Sequence, residues 1–317
     1  MPDFDLPLEE LRRYVPASTA QPDLESFWAE TKAQSAAQPL NPDFVPQDYP
    51  VQKVRVYKCY FDAFGGGRAC GWLLIPAEET GPRPALVHSH GYHQFKWTVS
   101  THLEWALMGF VVLALDVRGR GEATDWTAYS SGGVRGWMTK GILNEREYFY
   151  RGAYMDIVRA VEVVARRPEV DPARIGAFGS SQGGGLTLAV SALSDRIVCG
   201  MPCAPSLCHY ARAVKMAGAI PYTELNDYFI RYPEREERAM RTLSYFDPLN
   251  IGAWIRCPTL VSTGGRDTTC PPSTVFGVYN RLTCPNEIHY YPYDGHSGGG
   301  DAHRDKMVKW AWKYLKP

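Results

Sequence analysis

The stretch Ile175-Gly176-Ala177-Phe178-Gly179-Ser180-Ser181-Gln182-Gly183-Gly184-Gly185 leaves the chain few choices of fold. Residues 175–178 are an apolar run that reads as a strand, and residues 186–193 read as a helix. The joint between them is G-x-S-x-G with Ser181 at its centre. A side chain on so sharp a turn sits in strained backbone, so the residues two before and two after must be small for strand and helix to pass closely. The Ser181 hydroxyl is thereby pushed clear of the sheet edge, and the amide of Gln182, at the helix start, points at whatever Ser181 attacks. Ser181 is a candidate nucleophile on these grounds.

Strand and helix patterns alternate on both sides of that joint. Residues 51–61 and 69–75 flank Gly65-Gly66-Gly67 and read as a β-hairpin with a loose turn. Further strands are predicted at 84–88, 109–115, 197–202, 259–263 and 287–291. Helices are predicted at 24–36, 102–108, 148–166, 273–280 and 303–315. The fold class that follows is α/β, a mostly parallel sheet with helices on both faces and an antiparallel hairpin leading in. Residues 1–50 are Pro-rich and read as an N-terminal arm over the body, and residues 117–145 are Gly-rich and irregular. Residues 205–256 carry helical patterns without a strong strand and read as a helical insertion. A chain of 317 residues could hold two domains, but no linker-like tract divides it, so one domain is expected.

In such a sheet, functional groups gather beyond the carboxyl ends of the strands. Two loops there carry titratable residues, Gly264-Gly265-Arg266-Asp267 and Asp294-Gly295-His296-Ser297. The chain order Ser181, Asp267, His296 is that of α/β-hydrolases. A serine hydroxyl is a poor nucleophile until His296 takes its proton, while Asp267 fixes the imidazole tautomer and stabilises the imidazolium. Asp294 competes with Asp267 for the acid role. The oxyanion of an acyl transfer needs two donors, for which the amides of Gln182 and of Tyr92, in the loop after the 84–88 strand, are the candidates. A rival reading lies in the same loop: His88, His90 and His93 approach the spacing of an H-x-H-x-D-H zinc motif, with Tyr92 where that motif has Asp. A hydrogen-bonded core histidine is the ordinary explanation of His88.

Lys+Arg and Asp+Glu are 34 each, so no net field draws the chain to nucleic acid or an anionic membrane. The N-terminal residues lack the basic and apolar segments of a signal peptide, and the longest apolar stretch, around residues 106–115, falls short of the ~20 residues that span a bilayer. A soluble cytoplasmic protein is expected. The 8 cysteines include no C-x-x-C pair, and read as buried free thiols.

Three blocks resemble the signatures of carbohydrate esterase family seven, the acetyl xylan esterases and cephalosporin C deacetylases. They are Asp116-Val117-Arg118-Gly119-Arg120-Gly121, Gly179-Ser180-Ser181-Gln182-Gly183 and Tyr291-Pro292-Tyr293-Asp294-Gly295-His296. Segments such as Gly136-Trp137-Met138-Thr139-Lys140-Gly141 and Cys270-Pro271-Pro272-Ser273 are similar too, so the resemblance spans nearly the whole chain. It implies a cofactor-independent serine deacetylase of small acetylated sugars and cephalosporin-type esters, and a ring-like homo-hexamer. The resemblance also places Ser181, Asp267 and His296 on the family triad and Tyr92 and Gln182 on its oxyanion amides. Pro221 and Tyr222 fall on an acyl-pocket segment whose bulk favours acetyl. The chain departs from the family at Arg120, Ser297, His209 and the bulkier 93–97 loop, while the triad positions match. Arg118 reads as half of an internal salt bridge that fixes its loop. The same scaffold also serves peptidases, lactone hydrolases and non-catalytic binding proteins.

Overall fold

The structure, a computed structural model, describes residues 4–78 and 81–317. Nine strands form one sheet: β1 (Asp43–Gln47), β2 (Val54–Asp62), β3 (Arg68–Pro76), β4 (Arg83–Ser89), β5 (Val111–Leu115), β6 (Val170–Ser180), β7 (Ile197–Cys203), β8 (Thr259–Gly264) and β9 (Asn286–Tyr291). Their order is β1-β2-β3-β5-β4-β6-β7-β8-β9. β1, β2 and β3 are joined to each other and to β5 by antiparallel pairing, and the remaining pairs are parallel.

β5 and β8 are buried along their whole lengths, as parallel strands covered on both faces must be. Successive side chains alternate between two cores. Leu73, Val87 and Leu113 enter one, and Leu74, Leu86 and Val112 the other. The first core is closed by helices Leu24–Ala37, Phe149–Ala165 and Gln182–Leu193. The second is closed by Trp105 and Ala106 of helix Leu103–Leu107 and by Met307, Ala311 and Leu315 of helix Gly300–Leu315.

The arm is held chiefly by apolar burial. Leu24, Phe27 and Trp28 are buried on its helix, and a fully buried large apolar side chain contributes roughly 1.5–3 kcal/mol. The exposed Arg146–Glu30 pair at 2.8 Å adds little beside that. One expectation needs correction: residues 43–47, read as part of an irregular arm, form β1 at the sheet edge. Their burial shows no two-residue alternation and Pro46 interrupts the run, which an edge strand tolerates because its outer amides need no partner.

Residues 205–256 hold helices Tyr210–Met216, Tyr222–Arg231, Glu236–Ser244 and Pro248–Ile251. Residues 117–145 form turns and bends without helix or strand. Their anchor is Arg118, which meets both Asp156 oxygens at 2.8 Å and donates to the Phe64 carbonyl at 2.9 Å. All eight cysteines are free thiols, seven of them buried. Among the described residues no helix is long and apolar enough to cross a membrane.

Two buried histidines link this packing to pH. Burial pushes His209 and His303 down to about 4, and His303 has one ring nitrogen without a hydrogen-bond partner. The folded state therefore takes up these protons less readily than the unfolded chain, whose histidines titrate near 6.5. The stabilisation is present above about pH 6.5 and is lost as the pH falls toward the folded-state value. Thermal melts across that interval should show a falling Tm, with a shallower slope in His303→Gln; an unchanged slope would remove His303 as a source of the effect.

Candidate active site

β6 runs into helix Gln182–Leu193 through Ser181, whose φ of 57° and ψ of −120° put a non-glycine residue in positive-φ backbone. Backbone hydrogen bonds hold it there. The Ser181 amide donates to the Cys203 carbonyl at 2.9 Å, and the Ser181 carbonyl accepts from the amides of Ser206 at 2.9 Å and Gly185 at 3.0 Å. The predicted need for small neighbours has a measurable cause. A Cβ on Gly179 would stand 2.5 Å from the Ser89 carbonyl oxygen, and one on Gly183 only 1.9 Å from it.

The acid and base arrive on the loops after β8 and β9. His296 Nδ1 lies 2.8 Å from Asp267 Oδ2, and His296 Nε2 lies 2.9 Å from Ser181 Oγ. A neutral imidazole protonated at Nδ1 satisfies both contacts. Asp267 is fully buried, and its other oxygen accepts from the amides of Thr269 at 2.9 Å and Cys270 at 2.8 Å. The two loops are tied together by Gly265 N–H to the Tyr291 carbonyl and Arg266 N–H to the Asp294 carbonyl, both 2.8 Å. A Cβ on Gly264 would lie 2.0 Å from the Gly295 oxygen, so this approach also requires glycine. Asp294, the competing acid, instead accepts from Ser297 Oγ at 2.6 Å and from the Gly299 amide. The carboxylate that meets His296 is that of Asp267.

The loop after β4 completes the site. His90 is buried, with Nδ1 2.8 Å from the Gly91 carbonyl and Nε2 accepting from the Val117 amide at 2.9 Å. Burial holds His90 below its usual range, which favours the neutral ring these two bonds need. The Gly91 carbonyl and the Tyr92 amide belong to one trans peptide and point opposite ways. Clamping the carbonyl therefore sets the direction of the Tyr92 N–H. Among the described residues no hydrogen-bond acceptor is assigned to the amides of Tyr92 or Gln182. The Gln182 side chain is fixed from behind by Tyr150, whose hydroxyl donates to it at 2.9 Å.

The Tyr92 side chain docks the helical insertion on this loop. Its hydroxyl donates to Glu224 Oε2 at 2.7 Å and accepts from the Trp137 amide at 2.7 Å. Burial raises the Glu224 carboxyl above its ordinary range. Pro221 and Tyr222, at the start of the same helix, are buried, and burial pushes the Tyr222 hydroxyl well above its ordinary range. Glu224 and Tyr150 left no signal in the sequence, since each acts through a partner far along the chain. His90 had a signal, but its ring serves the backbone rather than a metal.

The zinc arrangement does not form. His88 packs against the rings of His102 and Phe178 at 5.0 and 4.7 Å. Both His90 nitrogens are engaged by backbone, and His93 stacks on Tyr92 at 4.5 Å. β4 ends at Ser89, so His90 and His93 lie in the loop beyond it, and the three rings are held by three different sets of neighbours. Among the described residues the metal-ligand types that do converge are Asp267, Cys270 and His296, two of which hold the hydrogen bonds above.

A serine on a strand-to-helix elbow of a mostly parallel sheet, with its histidine and aspartate on the loops after later strands, defines an α/β-hydrolase. Within that class the chain belongs to the acetyl xylan esterase (AXE1) family, whose model matches residues 1–314. It is similar to an acetyl xylan esterase from Paenibacillus sp. R4, with 40% identity and a TM-score of 0.95 over 98% of this chain and 100% of that one. It is also similar to acetyl xylan esterase 1 from Thermoanaerobacterium sp. JW/SL YS485, with 29% identity and a TM-score of 0.93 over 98% of this chain and 99% of the other. Acetyl esterase Axe7A of Xylanibacter ruminicola is 28% identical over 221 residues, 67% of this chain, and the chain spans 48% of that protein's length.

The elbow predicts its own sensitivity. Gly183→Ala should destabilise the fold by about 3 kcal/mol or more in denaturant unfolding, because the neighbour it meets is backbone. Gly218→Ala, where a Cβ meets nothing within 4 Å, should change stability little. Equal effects at the two positions would contradict the close-approach account.

Proposed function

We propose that this protein is a serine esterase that removes acetyl groups from small acetylated carbohydrates such as xylo-oligosaccharides, and also deacetylates cephalosporin C-type esters. The observation that carries the reading is the continuous Ser181–His296–Asp267 hydrogen-bond chain, at 2.9 and 2.8 Å, in a chain of the acetyl xylan esterase family. His296 takes the Ser181 proton as Oγ attacks the acetyl carbonyl, and Asp267 stabilises the imidazolium. The amides of Tyr92 and Gln182 receive the oxyanion, with the start of helix Gln182–Leu193 adding its dipole. His296 protonates the departing sugar oxygen, then activates water to cleave the acetyl-enzyme. Buried Pro221 and Tyr222 close the acyl side, which favours acetyl over longer chains. A homo-hexamer is part of the same proposal, on the family resemblance.

Hydrolysis of p-nitrophenyl acetate, butyrate and octanoate by wild type and Ser181→Ala tests this. Acetate should be the best substrate, and the substitution should lower kcat by about 10³-fold or more. Comparable rates in both proteins would remove Ser181 as nucleophile, and an octanoate preference would remove the deacetylase assignment. His90→Ala should lower kcat about 10- to 100-fold with little change in KM, since an oxyanion amide acts mainly in the transition state. A rise in KM at constant kcat would instead make His90 a binding element.

A further inference from the structure

Beside the loop that carries the Tyr92 amide, the irregular segment 117–145 presents two arginines, Arg120 and Arg135. Tyr92 and His93 stack with centroids 4.5 Å apart, and Trp137 stands edge-on to them at 4.8 and 4.9 Å. The Arg120 guanidinium lies over the Trp137 ring at 4.2 Å and donates Nε–H to the Gln94 carbonyl at 3.4 Å. The Gln94 side chain in turn accepts from the Gly91 amide at 3.0 Å. Arg120 is thus two side-chain contacts from Tyr92, on a rigid aromatic support. Arg135 is exposed and stands two residues before Trp137 on the same irregular segment.

The carboxylates around these two arginines are committed elsewhere. Glu224 is buried and accepts from the Tyr92 hydroxyl and the Met138 amide, with His93 at 3.8 Å. Asp116 is paired with Lys96 at 2.6 Å, and Asp125 faces Arg118 at 3.8 Å and Lys140 at 3.7 Å. Among the described residues neither Arg120 nor Arg135 has a carboxylate within 4.0 Å. A guanidinium held on an aromatic face loses little further side-chain freedom on binding, and its free N–H fork matches a carboxylate.

We propose that Arg120, assisted by Arg135, binds a carboxylate on the alcohol part of the substrate. The enzyme would then prefer acetyl esters whose leaving group is an anion, such as an acetylated sugar bearing a uronic acid. This rests on the deacetylase reading and adds the charge of the leaving group. The anion is placed on the alcohol side because Pro221 and Tyr222, the proposed acyl-pocket residues, are buried, whereas Arg120 is half-buried and Arg135 exposed.

The test compares 4-acetoxybenzoate with its uncharged methyl ester on the full chain, reading the ratio of their kcat/KM values. The ratio should fall about tenfold in Arg120→Gln, and by a smaller factor in Arg135→Gln. Arg146→Gln, which loses only an exposed pair with Glu30, should leave it unchanged. Added salt at about 0.5 M should lower the wild-type ratio, since exposed charges are screened. A ratio that neither arginine substitution nor salt moves would overturn the proposal. Failure of wild type to turn over p-nitrophenyl acetate would instead overturn the deacetylase reading on which it rests.

Discussion

The Ser89 carbonyl pressed against Gly179 and Gly183 is the contact on which the rest of the site depends. It brings β4, β6 and helix Gln182–Leu193 so close that no Cβ fits between them. The same crossing obliges Ser181 to adopt positive φ, a strain of order 1–3 kcal/mol. Three backbone hydrogen bonds at Ser181, each contributing about 1 kcal/mol net, are enough to offset it. Since Ser89 is also the last residue of β4, the loop bearing Tyr92 leaves the sheet beside the nucleophile. Ser181 and the amides of Gln182 and Tyr92 are therefore positioned by one rigid junction rather than by separate loops.

What the sequence disclosed followed from how local each cause was. Ser181, Asp267 and His296 were legible because each sits within two residues of a glycine just beyond a strand, and strands show themselves by apolar runs. Arg118 was legible as an internal charge, though its partner Asp156, on a helix 38 residues later, was not. β1 escaped because an edge strand buries neither face consistently. His90 shows a subtler limit: residue type and spacing advertise ring nitrogens without saying whether they meet a metal or a peptide. Glu224 was out of reach altogether, since its contact with Tyr92 spans 132 residues.

Charge serves two purposes in this molecule. Arg118–Asp156 and Lys96–Asp116 are buried and richly hydrogen-bonded. Such pairs add little net stability over apolar packing, but losing one partner strands the other, so they hold geometry. Arg120 and Arg135 are in no such pair among the described residues: Arg120 is half-buried against Trp137 and Arg135 is exposed. Overall neutrality conceals this division, because the sum of 34 positive and 34 negative residues says nothing of where each is anchored.

Arg118 and Arg120 stand two positions apart and belong to different regimes. Residues 117–145 lack regular structure, yet their root is pinned by the Arg118 contacts to Asp156 and Phe64. A segment with a fixed root and an open tip can exchange exposed residues without a folding penalty on each trial. The family scaffold thus carries a place where recognition can drift one substitution at a time while the chemistry next to it stays intact. Diversification of substrate in such enzymes would be recorded at the tip and be invisible at the root.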